Sequence, residues 1–139
     1  MADDNWTWSI DEIIPNQKCE GDRILGLVLD QLRDHNWHDD DIFGINLALE
    51  EALVNAIKHG NQDDCSKQVR LKCKLSSQRL WVEVTDEGTG FNPGEVPDPT
   101  NKKHIHTPSG RGLLLMRSFM SHVEFNSQGN VVTMEKIRD

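Results

Sequence analysis

Leu47-Ala-Leu-Glu-Glu-Ala-Leu-Val-Asn-Ala-Ile-Lys-His-Gly60 is the stretch whose reading decides the fold of this chain. Leu49, Leu53, Ala56 and Ile57 recur at helical spacing, so the segment is predicted to be the second half of an amphipathic helix. Glu51 and Asn55 are four residues apart and would stand one turn above each other on one face. His59 continues that row, and Gly60 is expected to stop the helix in the left-handed conformation. Packing alone does not call for a carboxylate and an amide stacked on one flank and ending at His-Gly. Taken alone, the pair also fits an ordinary solvated helix face. Sequence further along the chain separates the two readings.

The whole chain sets the bounds. Its 139 residues fit a single domain, residues 1–139, long enough to bury a real core. A hydrophobic fraction of 36% and a charged fraction of 27% suit a soluble globular protein. The net charge of −8 and the lack of a dense basic patch argue against direct nucleic-acid binding. Local cations and helix amides can still hold a polyanionic nucleotide. Cys19, Cys65 and Cys73 are odd in number and lack CxxC spacing, which reads as reduced thiols rather than a disulfide framework or zinc site. There is no basic-then-apolar leader and no run of ~18 apolar residues. The expectation is a cytoplasmic protein with no membrane association.

Working outward, residues 5–14 alternate with Trp6, Trp8 and Ile10 on one side, which predicts a half-buried strand ended by Pro15-Asn16. Residues 17–36 turn helical, with Ile24, Leu25, Val28, Leu29 and Leu32 inward and Gly21 a weak point near the start. Asp39 to Asp41 are expected to cap the next helix and to favour its positive end. That helix carries Ile42, Ile45, Leu49, Ala52, Leu53 and Ala56 inward. Val69, Leu71, Cys73 and Leu75 alternate with Arg70, Lys72 and Lys74, and residues 80–85 return as a second, antiparallel strand. Residues 91–109 hold four of the five prolines and no apolar period, which suits a lid. A helix over 113–121 and a hairpin over 122–136 close the chain. Antiparallel strands with helices grouped between them predict an α+β fold: a two-layer sandwich of a mixed or antiparallel sheet with helices on one face.

Two more constellations follow the first. Asp86-x-Gly88-x-Gly90 lies where a strand runs into a loop. Its carboxylate is an acceptor that suits an amino donor such as that of adenine, and its glycines tolerate positive φ and close approach. A plain turn uses the same residues. Gly110-Arg111-Gly112 opens a helix, where bare amides, the helix dipole and a guanidinium suit phosphate; a plain cap is the alternative. Each signal is modest alone. In this order and on these elements, the three together are a strong one.

The chain resembles the GHKL ATPase superfamily, which includes the ATP-binding domains of gyrase, histidine kinases and MutL. The resemblance rests on Glu51-x-x-x-Asn55-Ala56-x-x-His59-Gly60, on Asp86-x-Gly88-x-Gly90 and on Gly110-x-Gly112, with an ATP lid at about 91–109. Within that group it is most similar to small bacterial anti-sigma factor serine/threonine kinases, whose C-terminal run is matched by Gly112 to Ser121, with Ser121 where Asp is frequent. The resemblance implies the Bergerat ATP-binding fold, ATP and Mg²⁺ as cofactors, and Asn55 as the metal ligand. It implies Glu51 as the general base, with Glu50 turned away by about 100° of helix rotation. Asp86 would accept from adenine, Gly88 and Gly90 would shape that wall, and Gly110, Arg111 and Gly112 would hold phosphates, with Lys102 or Lys103 of the lid as further candidates.

The function so implied is binding of a sigma factor and phosphorylation of a serine on an anti-sigma-factor antagonist. Homodimerisation is implied too, with Trp6 and Trp8 as candidate contacts and a buried sheet face as the other explanation for them. One departure matters: Pro108 precedes Ser109-Gly110 where several members carry a γ-phosphate-binding arginine. The alternative is therefore a nucleotide-responsive binding protein without kinase activity. His104 and His106 lack a third ligand nearby and read as solvated rather than metal-binding.

Overall fold

The computed structural model describes residues 6–88 and 110–138, with Gly110 and Arg111 described by backbone only. Gly90, the expected lid and the residues Lys102, Lys103, His104, His106 and Pro108 lie outside these described residues. The elements run β1 (Trp8–Pro15), α1 (Lys18–Asp34), α2 (Asp39–Val54), a π-helical turn (Asn55–Gly60), β2 (Gln68–Leu75) and β3 (Arg79–Asp86), then α3 (Gly110–Phe119), β4 (His122–Phe125) and β5 (Val131–Ile137).

The five strands form one sheet in the order β1-β2-β3-β5-β4. Every neighbouring pair is antiparallel, which decides between the mixed and antiparallel forms expected. Directly opposed residues share a face, so the register sorts the sheet into two sides. Val69, Leu71, Cys73 and Leu75 oppose Asp86, Val84, Val82 and Leu80, and all eight are buried. The other side carries charge pairs: Asp11 with Arg70, Lys72 with Glu83, and Arg79 with Glu135. The inward faces of α1, α2 and α3 join the buried side of the strands in one continuous core. This is the α+β sandwich with helices on one face.

Helix α2 is the middle of the helical layer, touching both α1 and α3. It buries Ile42, Gly44, Ile45, Ala48, Leu49, Ala52 and Leu53, a wider arc than a surface helix needs. Gly44 has a steric task there: a Cβ would lie 2.6 Å from Cδ1 of Phe119, so the α3 ring seats on bare backbone. The three aspartates do not cap α2. The N-cap is His38, without a side-chain cap bond, and Asp39, Asp40 and Asp41 fill the first turn. What they offer is charge at the helix's positive end.

Helix α1 ends in a Schellman arrangement. The Trp37 N–H donates to the Leu32 carbonyl at 3.0 Å and the Asn36 N–H to the Arg33 carbonyl at 2.9 Å. Asn36 takes the left-handed position with φ of 61°. This turn drives Trp37 into the core, where it is buried and its indole N–H donates to the Ser76 carbonyl at 3.2 Å.

Leu71 is fully buried in the second strand of the sheet, whereas Leu114 is 65% exposed on α3. Leu71→Ala is expected to lower stability by about 2–5 kcal/mol. Leu114→Ala should change it by less than about 0.5 kcal/mol. Urea unfolding of both variants checks the core assignment, which similar losses would contradict.

Candidate functional site

The exit of α2 builds one side of the site. After Val54 the chain changes from α to π geometry, and the Asn61 N–H donates to the Ala56 carbonyl, five residues back, at 2.8 Å. Each turn now takes more residues, so His59 falls behind the Glu51–Asn55 row instead of extending it. Gly60 does not stop the helix by going left-handed: the chain stays right-handed through Asn61 (φ −85°), and the reversal comes at Gln62 and Asp63, with φ of 53° and 56°. The need for glycine at 60 is steric. A Cβ there would lie 2.3 Å from Cγ of Asp86.

Gly88 follows the same logic. Its backbone does not take positive φ; instead a Cβ would lie 1.9 Å from the carbonyl oxygen of Gly60. Strand β3 places Asp86 here by simple alternation, because Leu80, Val82, Val84 and Asp86 all face the core. The last position of that row holds a carboxylate at the edge of the helical layer. Asp86 is 9% exposed, and its Oδ1 accepts from the Gly88 N–H at 2.8 Å. Burial pushes its carboxyl up from the ordinary 3.8 to about 6, against the smaller lowering effects of the Gly88 amide and Lys67. Its remaining acceptor capacity suits an amino donor.

The other half of the site forms where α2 meets the first turn of α3. A Cβ on Gly112 would lie 2.8 Å from Oε2 of Glu51 and 3.7 Å from Nδ2 of Asn55. The carboxylate, the amide and the opening of α3 thus converge, as the i, i+4 spacing and the Gly110-x-Gly112 motif separately suggested. Glu50 is exposed, whereas Glu51 is partly buried against Gly112. Asn55 is 9% exposed, and its Nδ2 is buried with no hydrogen-bond partner among the described residues. An orphaned buried amide is unfavourable by roughly 1–3 kcal/mol. A half-turn about its last bond offers either oxygen to a cation or N–H to an anion. This donor chemistry fits Mg²⁺ bound with phosphates, since that ion takes few protein ligands and keeps several waters. Among the described residues no trio of His, Cys, Asp or Glu converges as a metal cage. The side chain of Arg111 lies outside the described residues.

Two buried asparagines join the halves, and the motif reading missed both. Asn61 accepts from the Glu87 N–H at 2.7 Å and donates to Asn16 Oδ1 at 3.0 Å and to the Gln68 carbonyl at 2.9 Å. Asn16 donates to the carbonyls of Ile57 and Asp64 at 3.3 and 3.1 Å. Each follows a known breaker, Pro15 or Gly60, and so reads as turn chemistry in the sequence.

Residues 22–136 match the family model of the histidine kinase-like ATPase domain. The chain belongs to that family. This ATPase domain is 33% identical over 94 residues to an anti-sigma F factor of Clostridium perfringens (strain SM101), covering 66% of each chain. It is 30% identical over 104 residues to the serine-protein kinase RsbW of Bacillus subtilis (strain 168), covering 70% of this chain and 65% of that one. This chain therefore spans about two thirds of those relatives' lengths. Its fold matches the crystal structure of the RsbU and RsbW domains of Rv1364c from Mycobacterium tuberculosis with a TM-score of 0.64 at 15% identity, covering 95% of this chain and 32% of that one. Among the described residues of this ATPase domain, no helix is long and apolar enough to cross a membrane.

Two outcomes follow from the geometry. Gly60→Ala drives a Cβ into a buried carboxylate and is expected to destabilise the domain by about 1–3 kcal/mol. Gly112→Ala meets the movable end of Glu51 most closely, with Asn55 Nδ2 at ordinary contact distance, and should change the urea midpoint far less. The Asp86 carboxyl has a folded-state pKa above its unfolded value near 4. Its contribution to stability is therefore complete below that unfolded value and is lost as pH rises through about 6. Asp86→Asn should raise the melting temperature at pH 7.5, and the gain should shrink toward pH 5. An equal gain at both pH values would contradict a buried, charge-opposing site.

Proposed function

We propose that this chain is an ATP-dependent anti-sigma factor and serine/threonine protein kinase, acting in the cytoplasm as a homodimer. It binds a sigma factor and phosphorylates a serine of an anti-sigma-factor antagonist. The observation that carries the reading is the packing of Gly112 against both Glu51 and Asn55. A proton acceptor and an amide whose buried end has no partner among the described residues stand at a helix start suited to phosphate. The similarity to an anti-sigma F factor and to a serine-protein kinase supports it.

In this reading Asp86 accepts a hydrogen bond from the adenine amine, beside the wall made by Gly88 and Gly90. The amides at Gly110 and Gly112, with Arg111, bind the phosphates. Asn55 would hold Mg²⁺, which supplies charge neutralisation on the phosphate oxygens. Glu51 takes the proton of the acceptor hydroxyl as the serine oxygen bonds to the γ-phosphorus and the bond from that phosphorus to the bridging oxygen breaks, releasing ADP. The role asked of Glu51 is holding and accepting that proton.

Pro108, standing where several members of the group carry a phosphate-binding arginine, favours a second reading: a nucleotide-responsive binding protein without transfer. One variant separates the two. With Mg-ATP and a cognate antagonist, Glu51→Ala should slow phosphate transfer by about 10²–10⁴-fold while ATP affinity stays near the wild-type value. Absence of transfer by the wild type, with ATP-dependent partner binding intact in Glu51→Ala, would establish the second reading instead. Calorimetry showing no ATP binding by the wild type would overturn both.

A further inference from the structure

Asn61 is the only polar residue among the described ones with no exposed surface at all. Its amide uses both of its ends. The oxygen accepts from the Glu87 N–H, and the nitrogen donates to two oxygens on two other segments, Asn16 Oδ1 and the Gln68 carbonyl. No apolar residue and no carboxylate can do both. The network then runs from Asn16 to the Ile57 carbonyl, inside the π turn that begins at Asn55. A continuous set of buried and part-buried hydrogen bonds thus ties the phosphate-side amide's own turn to the residue next to Asp86.

On its other flank, the Asp86 peptide is held by Asn130: the Asp86 N–H donates to the Asn130 carbonyl at 3.0 Å, and Asn130 Nδ2 donates to the Asp86 carbonyl at 3.3 Å. The carboxylate itself is then aimed by the Gly88 N–H and walled by Gly60. Of these restraints, only the Asn61 bond connects the Asp86–Gly88 turn to the helix exit through side chains. Buried and fully satisfied polar networks specify one arrangement where apolar contacts would tolerate several.

We propose that Asn61 is a positioning residue for base recognition: its amide sets the placement of the Asp86 carboxylate relative to Asn55, and so the span between the base and phosphate ends of the nucleotide site. The proposal rests on the reading of Asp86 as the adenine acceptor. An ionised carboxylate suits the amino group of adenine and opposes the carbonyl of guanine. Misplacing it should therefore weaken ATP and leave GTP little changed.

The test uses the full chain with Asn61→Ala, and Val28→Ala as a control, since Val28 is fully buried in α1 and outside the network. Affinities for ATP and GTP are measured by calorimetry at a temperature where circular dichroism shows both variants folded. Amide hydrogen exchange is read at Glu87 and Gly88. Asn61→Ala is expected to weaken ATP by tenfold or more, to shrink the ATP-over-GTP ratio by a similar factor, and to speed exchange at both amides. Val28→Ala should keep the wild-type ratio. An unchanged ratio in Asn61→Ala, or an equal fall in Val28→Ala, overturns the proposal. If the wild type shows no preference for ATP, the adenine reading of Asp86 fails and the proposal with it. Faster exchange at Glu87 in Asn61→Ala would then show a clamp that serves only the fold.

Discussion

Two stretches of backbone, the exit of α2 and the turn after β3, approach until neither can carry a side chain where they touch. Gly60 faces the carboxylate of Asp86, and Gly88 faces the carbonyl of Gly60. The Asp86 half of the site depends on that approach. It brings a buried acid to the end of the helix that carries Glu51 and Asn55. Moving either stretch back by one methyl group would separate the two halves.

The sheet and the helical layer make the approach possible. Strand alternation pushes Val69, Leu71, Val82 and Val84 into the core, and the same alternation places Asp86 at the last inward position of β3. Small residues along α2, at Gly44, Ala48 and Ala52, let the middle helix sit close to its neighbours. Burial of this apolar surface is the dominant stabilising term, and it carries the less favourable elements. Those are the Asp86 carboxyl, raised to about 6 by burial, and the orphaned amide of Asn55. Both sit at the mouth of the site, where natural proteins tolerate local conflict in exchange for chemistry. Cys73, in contrast, is buried in the sheet with its thiol pushed up to about 12 by burial.

Much of this was legible in the residues. The alternation in β2 and β3, the amphipathic pattern of α1 and the carboxylate–amide pair on α2 each follow from a single local period. The convergence of Gly112 with Glu51 and Asn55 agrees with the motif order. Other features were hidden for identifiable reasons. Gly60 and Gly88 are ordinary in backbone conformation, and their necessity comes from atoms on other segments. The aspartates that open α2 resemble caps, but His38 occupies that position and they fill the first turn. Trp37 lies beyond the helical period of α1, and it is the left-handed Asn36 that turns it inward.

The sequence by itself determined the α+β class, the order of elements, and the presence of an acid, an amide and two glycine motifs with nucleotide-binding chemistry. Those are properties of local period, residue type and order. Only the tertiary structure decided that α2 relaxes into a π turn, that Asn16 and Asn61 join that turn to the end of β3, and that Asn55 keeps one buried donor unpaired among the described residues. Each of these depends on contacts between segments far apart in the chain. Asn61 meets Glu87 and Asn16 only because the folded core holds all three in place, and no local spacing encodes such a meeting.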